Sequence, residues 1–297
     1  MTNEATGKTT FQNSESIVNY NTLLSEHTAS LLRRFGEPGI PVMLLKGIAL
    51  VNDVYADTSD RVMGDIDLLV RKEHSAEAEK ILRKNGFVFI QGNMANARVY
   101  GKTEPLEIYV DLHTGLVNPQ SPSQSKVYSP DIDSIWRRAR EVDFSGNTAF
   151  TLSAEDRIVY LAFHMLKERF SKDKWFRDLV LVIEHYAPRV DKALLESISR
   201  ECGTHKLCCM IIDHLKDQRK EDIRGLDAVF DGSGYFLYRF ESRLFRALLA
   251  PWARGLFPLR EFLWLIAMDS ARKKASFTAD LIRYLPIKMM RTLRRIR

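Results

Sequence analysis

The sequence predicts an α+β domain, a mixed sheet with flanking helices, followed by an all-helical domain. Strand-length apolar or alternating runs at Ile40–Leu45, Arg61–Val70 and Glu107–His113 are interleaved with segments of helical period over the first 150 residues. From Leu152 onward the apolar residues keep the helical period and the strand pattern disappears. Between these halves, Asn118–Ser129 is rich in Pro, Ser and Gln and reads as a loop, either a lid or a linker. The expected division is therefore a flexible lead-in over 1–16, a first domain over 17–150, a helical domain over 151–232 and a basic, aromatic-rich helical tail over 233–297.

Each element has a local cause. Ser14 can cap a helix whose inward positions are Ile17, Tyr20, Leu24, Leu31 and Phe35, and Gly36, Pro38 and Gly39 stop it. Ile40–Leu45 is a continuous apolar run short enough for a buried strand, and Lys46-Gly47 turns it into a helix through about Ala56. After the polar loop Asp57–Asp60, Arg61 leads into a strand in which Asp65 and Asp67 alternate with Ile66 and Leu68. Lys72–Asn85 reads as a helix with Ala76, Ala78, Ile81 and Leu82 inward and Gly86 past its end. Phe87–Ile90 and Arg98–Tyr100 read as short strands around a Gly92-Asn93 turn, ahead of the strand ending at His113. Asp131-Ile132-Asp133 repeats an Asp-x-Asp pattern, but it follows Ser129-Pro130 and reads as the acidic first turn of a helix. Ser153-Ala154-Glu155-Asp156 is a capping box for a helix carrying Ile158, Leu161, Ala162, Met165 and Leu166.

Composition narrows the function. Hydrophobic residues at 45% and charged residues at 28% are ordinary for a globular chain. Residues 1–16 are polar and carry no secretion-signal pattern, and three clustered cysteines make no disulfide framework, so a cytoplasmic location is expected. Fourteen Lys/Arg against four Asp/Glu lie from residue 233 onward, an excess larger than the whole chain's +6, so residues 1–232 are net acidic. That distribution argues against general nucleic-acid binding by the first domain. Residues 283–297 interleave basic and apolar side chains and fit either a peripheral membrane or acidic-partner contact or a helix packed on its own domain. Lys167, Arg169, Lys172, Lys174 and Arg177 read either as a phosphate-facing cluster or as a solvated face. Cys202-x-x-His205-x-x-Cys208-Cys209 has zinc-ligand residue types, but it enters an apolar helix and reads as buried core.

The acidic strands carry the chemistry. Period-2 geometry sets Asp65 and Asp67 on one face, about 6.5 to 7 Å apart along the backbone. Should the second strand pair beside the first, Asp111 becomes a third carboxylate, enough to hold two divalent ions about 3.5 to 4 Å apart in an arrangement that serves phosphoryl transfer. Hard oxygen ligands of this kind suit Mg²⁺ or Mn²⁺. Without a cation such carboxylates raise one another's proton affinity, so Asp67→Asn is expected to leave the apo protein as stable or more so. Lys46 stands at a strand-to-helix junction, where it can meet a phosphate together with the helix N-terminus or simply pair with a site aspartate. Read from the residues alone, Arg61 neutralises Asp57 or Asp60 at the surface.

Leu44-Leu45-Lys46-Gly47, Tyr55, Arg61 with Met63-Gly64-Asp65-Ile66-Asp67-Leu68-Leu69-Val70, and Val110-Asp111-Leu112-His113 together resemble the bacterial branch of the nucleotidyltransferase superfamily. The resemblance runs on through His164 and Trp175-Phe176-Arg177-Asp178, covering roughly residues 15 to 220. It departs from the broader superfamily's Gly-Ser or Gly-Gly in having Lys46-Gly47. The resemblance implies that the 17–150 domain is catalytic. Asp65, Asp67 and Asp111 would be catalytic and metal-binding, and Lys46, Gly47, Arg61 and Gly64 would face a nucleoside triphosphate. The implied reaction moves a nucleoside monophosphate from the triphosphate to an acceptor hydroxyl with release of pyrophosphate. Two rivals share the Asp-x-Asp: a metal-dependent glycosyltransferase using a nucleotide sugar, and a non-catalytic nucleotide-binding regulatory module. The first calls for a large nucleotide-binding domain ahead of Asp65, and the second for loss of a site carboxylate.

Overall fold

The computed structural model describes residues 14–93, 96–104, 106–117, 122–221, 223, 225–235, 237–249 and 257–280. The chain divides into two compact units. The first holds residues up to Gly92, Ala97–Thr114 and Arg140–Thr151, and the second holds Asn93–Asn96, Gly115–Ala139 and everything from Leu152.

The first unit is a seven-stranded mixed sheet with helices. Its elements are α1 (Ser14–Gly36), β1 (Val42–Leu45), α2 (Lys46–Asp53), β2 (Ile66–Val70), α3 (Ser75–Lys84), β3 (Val88–Asn93), β4 (Ala97–Lys102), β5 (Ile108–His113), β6 (Arg140–Phe144) and β7 (Asn147–Thr151). The strand order is β3-β4-β5-β2-β1-β7-β6. β2 runs parallel to β5 and antiparallel to β1, so the two acidic strands are neighbours at the centre of the sheet.

Alternation sorts the side chains of these strands. Val42 and Leu44 of β1, Ile66, Leu68 and Val70 of β2, and Ile108, Val110 and Leu112 of β5 join one core with Leu24, Leu31 and Phe35 of α1 and Ala78 and Leu82 of α3. Asp67, Asp111 and His113 occupy the alternate positions, so period 2 directs them to the opposite sheet face. The second face also carries the buried Met43, Leu45 and Leu69, so the polar groups sit among apolar neighbours.

The first unit differs from the sequence reading in several places. α2 ends at Asp53 rather than near Ala56, and a 3-10 turn over Lys72–His74 precedes α3. Ala76 is exposed rather than inward. β3 and β4 extend through Gly92 and Asn93 and back to Ala97, because backbone pairing continues beyond the apolar run. The hairpin β6–β7 was not anticipated. It closes on a two-residue turn, Ser145-Gly146, with φ of 53° and 76°, the left-handed conformation that matches the twist of antiparallel strands.

The second unit is helical: α4 (Pro122–Val127), α5 (Ile132–Arg138), α6 (Ala154–Lys167), α7 (Lys174–Tyr186), α8 (Lys192–Glu201), α9 (His205–His214), α10 (Tyr238–Leu249) and α11 (Phe257–Ala267), with a further helical run over 271–280. The Pro/Ser/Gln-rich stretch expected to be a loop contains α4. Burial of Val127 and Tyr128 and the Lys126–Asp280 pair at 2.6 Å outweigh its polar composition. As expected, a helix starts at Asp131–Asp133, though Asp131 is its cap, accepting from the Asp133 and Ser134 amides, and only Asp133 lies in the first turn; Ser153 caps α6 as expected by accepting from the Asp156 amide. Arg138 makes a bidentate bond to the buried Asp156 carboxylate, with both contacts at 2.8 Å. Cys202, Cys208 and Cys209 are buried free thiols, and burial pushes Cys202 and Cys209 up to about 12. No described helix is long and apolar enough to cross a membrane. The basic segment 283–297 and residues 1–13 of the lead-in lie outside the described residues, and α1 already begins at Ser14.

Candidate active site

The centre of the site is Asp67, which is 1% exposed. Its place follows from register: Asp67 is opposite Leu45 on β1 and opposite Asp111 on β5. The residue after Leu45 is Lys46, so the turn from β1 into α2 delivers the lysine to the carboxylate, and Lys46 Nζ forms an ion pair with Asp67 Oδ1. Leu69 on β2 is opposite His113, and His113 Nε2 lies 3.1 Å from the same oxygen.

Burial alone would raise the Asp67 carboxyl. The Lys46 ammonium, and after it the His113 hydrogen bond, outweigh that effect and hold the group well below the usual carboxylate range. The aspartate is therefore ionised, its charge held by Lys46 and His113 and not pushed toward protonation by other carboxylates. This corrects the expected mutual repulsion at Asp67, because the lysine supplies the balancing charge.

Asp67, Asp111 and His113 each offer a ligand atom within 4.8 Å of the other two, the one such group among the described residues. Asp111 is half-buried, while His113 is 7% exposed. Two carboxylates and an imidazole are a donor set that fits a divalent cation. Asp65 is not in this group; it stands one residue before β2 and is half-buried. His113 was absent from the sequence-based site, although it shares the Asp111 face by simple alternation.

The phosphate-facing candidates lie around the start of α2. Lys46 has φ of 47°, a left-handed conformation that side chains other than Gly adopt at a cost of about 1 kcal/mol or more and that clusters at functional sites. Leu45, the N-cap of α2, provides no side-chain hydrogen bond. Gly47 allows a close approach: a Cβ there would sit 3.3 Å from Met63 Cγ and 3.7 Å from Arg61 Nη2. Arg61 is 5% exposed, so it is not the surface arginine that one sequence reading allowed, and it donates to the Val62 carbonyl. Gly64 is exposed, with open space where a side chain would go.

One supporting residue escaped sequence reasoning entirely. Asn21 of α1 is 1% exposed and donates to the Thr58 carbonyl at 2.6 Å and the Arg61 carbonyl at 2.8 Å. It also accepts from the Met63 amide at 3.2 Å. These bonds fix the segment that leads from the polar loop through Arg61 into the acidic strand. In the second unit, His164 of α6 meets Trp175 of α7 edge-on at 5.6 Å, a contact between neighbouring helices. The Cys202–Cys209 stretch forms no metal-ligand group among the described residues.

Residues 8–217 match a family described as uncharacterised nucleotidyltransferase. No curated protein matches the chain. Among solved structures, an antigenic nucleotidyltransferase-like protein from Paracoccidioides brasiliensis is similar at 14% identity over 71% of this chain and 91% of that one, with a TM-score of 0.43. The solution structure of the antibiotic-resistance factor ANT(2'')-Ia is similar at 14% identity over 61% of this chain and 93% of that one, with a TM-score of 0.45. A crystal structure of ANT(2'')-Ia in complex with adenylyl-2''-tobramycin is similar at 12% identity over 60% and 97%, with a TM-score of 0.40.

Proposed function

From the match over residues 8–217 the chain belongs to the uncharacterised nucleotidyltransferase family and is a nucleotidyltransferase, and we propose that it moves a nucleoside monophosphate from a nucleoside triphosphate to an acceptor hydroxyl with release of pyrophosphate. The observation that carries this reading is the pair Asp67 and Asp111, opposite each other on adjacent parallel strands and close to His113.

In this reading Asp65, Asp67 and Asp111 hold Mg²⁺ or Mn²⁺. A divalent cation bound there supplies charge stabilisation at the α-phosphate and lowers the pKa of an acceptor hydroxyl. Lys46, the amides at the start of α2 including Gly47, and the Arg61 guanidinium bind the phosphates, and Gly64 leaves room for them. When an anionic triphosphate enters, Lys46 exchanges its pairing with Asp67 for the phosphates and frees that carboxylate. Asp111 accepts the hydroxyl proton from the acceptor, which fits its lesser burial than Asp67. The first domain's acidic balance speaks against general nucleic-acid binding, and a cytoplasmic enzyme acting on a diffusible acceptor is the simplest setting.

The test is calorimetric binding of each nucleoside triphosphate to the full chain with Mg²⁺, with Mn²⁺ and with excess chelator. Tight binding is expected only with a metal. Equally tight binding in chelator would count against the carboxylate site.

A further inference from the structure

We propose that His113 is a direct ligand of the cation held by Asp67 and Asp111, and that its imidazole gives the site a preference for a first-row transition metal, with Mn²⁺ as the probe, over Mg²⁺. This rests on the metal-dependent reading above and adds to it one ligand and a metal selectivity. The three donor atoms lie within 4.8 Å of one another, and at ligand distances of about 2.1 Å two donors on opposite sides of one ion stand about 4.2 Å apart. Side-chain rotation of a few tenths of an ångström closes the difference. β5 fixes His113 two residues beyond Asp111 on the same face, and register with β2 brings it beside Asp67, so backbone pairing rather than a flexible loop sets the arrangement.

Imidazole ligates metal in its neutral form, and a divalent cation joining Asp67, Asp111 and His113 would leave Lys46, now paired with Asp67, for phosphate. The identity of the third donor then sets selectivity. Mg²⁺ takes oxygen ligands and sheds water reluctantly, whereas an imidazole nitrogen adds affinity for transition metals.

The experiment loads the full-length protein with Mn²⁺ alone and reads the nitrogen coupling by pulsed electron paramagnetic resonance, followed by competition with Mg²⁺. An imidazole ¹⁴N coupling is expected in the wild type and is expected to be lost in His113→Gln. The Mn²⁺-over-Mg²⁺ preference should fall about tenfold in that variant, within the range for perturbed metal-site residues, and His113→Asp, which restores an oxygen donor, should shift it further toward Mg²⁺. Bound Mn²⁺ with no nitrogen coupling in the wild type overturns the assignment and needs no variant to fold. An unchanged metal preference in His113→Gln also overturns it. If neither Mn²⁺ nor Mg²⁺ binds, even with nucleotide present, the nucleotidyl-transfer reading fails and takes this assignment with it.

Discussion

Lys46→Met removes the cation from a carboxylate that is 1% exposed, and its consequence for stability can be worked from the surroundings. Breaking a buried ion pair by deleting one partner costs about 3 to 5 kcal/mol, because the remaining charge stays desolvated. His113 still bonds Asp67 at 3.1 Å, so the loss is expected near the lower end, about 3 kcal/mol. Asp67→Asn should cost a similar amount, since it strands the lysine at 12% side-chain exposure, instead of relieving repulsion. Removing both charges with Lys46→Met and Asp67→Asn leaves no uncompensated ion at the pair and should cost only about 1 to 2 kcal/mol relative to the wild type. The double-mutant cycle then has a coupling energy of at least about 2 kcal/mol. Lys46→Gly should be more stable than Lys46→Ala by about 1 kcal/mol, because glycine adopts the φ of 47° without strain. Urea unfolding of chelator-treated protein, followed by circular dichroism, measures all of these. Single variants that each lose less than about 1 kcal/mol, with additive effects, would refute the reasoning.

Asn21→Ala should destabilise the protein by about 2 to 3 kcal/mol, since it leaves the Thr58 and Arg61 carbonyls and the Met63 amide without a buried partner. Thermal unfolding within about 0.5 kcal/mol of wild type would count against that brace. In the second unit, burial and then the nearby Arg200 charge pull His205 down to about 4 from its ordinary value. The unfolded chain therefore binds a proton that the folded chain does not between about pH 6.5 and 4, so stability is full above that window and falls as pH drops through it, by on the order of 3 kcal/mol. Burial pulls His214 down to about 4 as well, so His205→Gln should remove about half of the slope over that range, and an equally steep acid limb in the variant would show that His205 does not contribute.

Much of the first unit was legible because β1, β2 and β5 each carry a period or an apolar run that only a strand explains, and two of them carry the aspartates. Alternation put each aspartate on the polar face of its strand, and the parallel pairing of β2 with β5 then sets Asp67 opposite Asp111. Pairing of Lys46 with a site aspartate was one of the two readings open from the sequence, and the antiparallel register that sets Leu45 opposite Asp67 selects it and its partner. Asn21 was invisible because its three backbone partners lie 37 to 42 residues away. The β6–β7 hairpin had a signal in Ser145-Gly146, but its strands alternate weakly, with half-exposed and exposed positions between Phe144, Ala149 and Thr151. His113 was legible in principle, since it follows Asp111 by two residues; an imidazole on a half-buried strand simply reads as packing until the neighbouring carboxylate is located. The helix α4 shows the opposite case, in which burial of Val127 and Tyr128 gives order to a composition that favours loops.

The most direct test of the nucleotidyl-transfer reading follows the label. The full chain is incubated with Mg²⁺ or Mn²⁺, a cell extract as the acceptor pool and nucleoside triphosphate labelled at either the α- or the γ-phosphate. Label from the α position should appear in an acceptor, γ label should leave as pyrophosphate, and Asp111→Asn should abolish transfer. Transfer of the γ label, or transfer of sugar from a nucleotide sugar with no α-phosphate incorporation, would contradict the assignment.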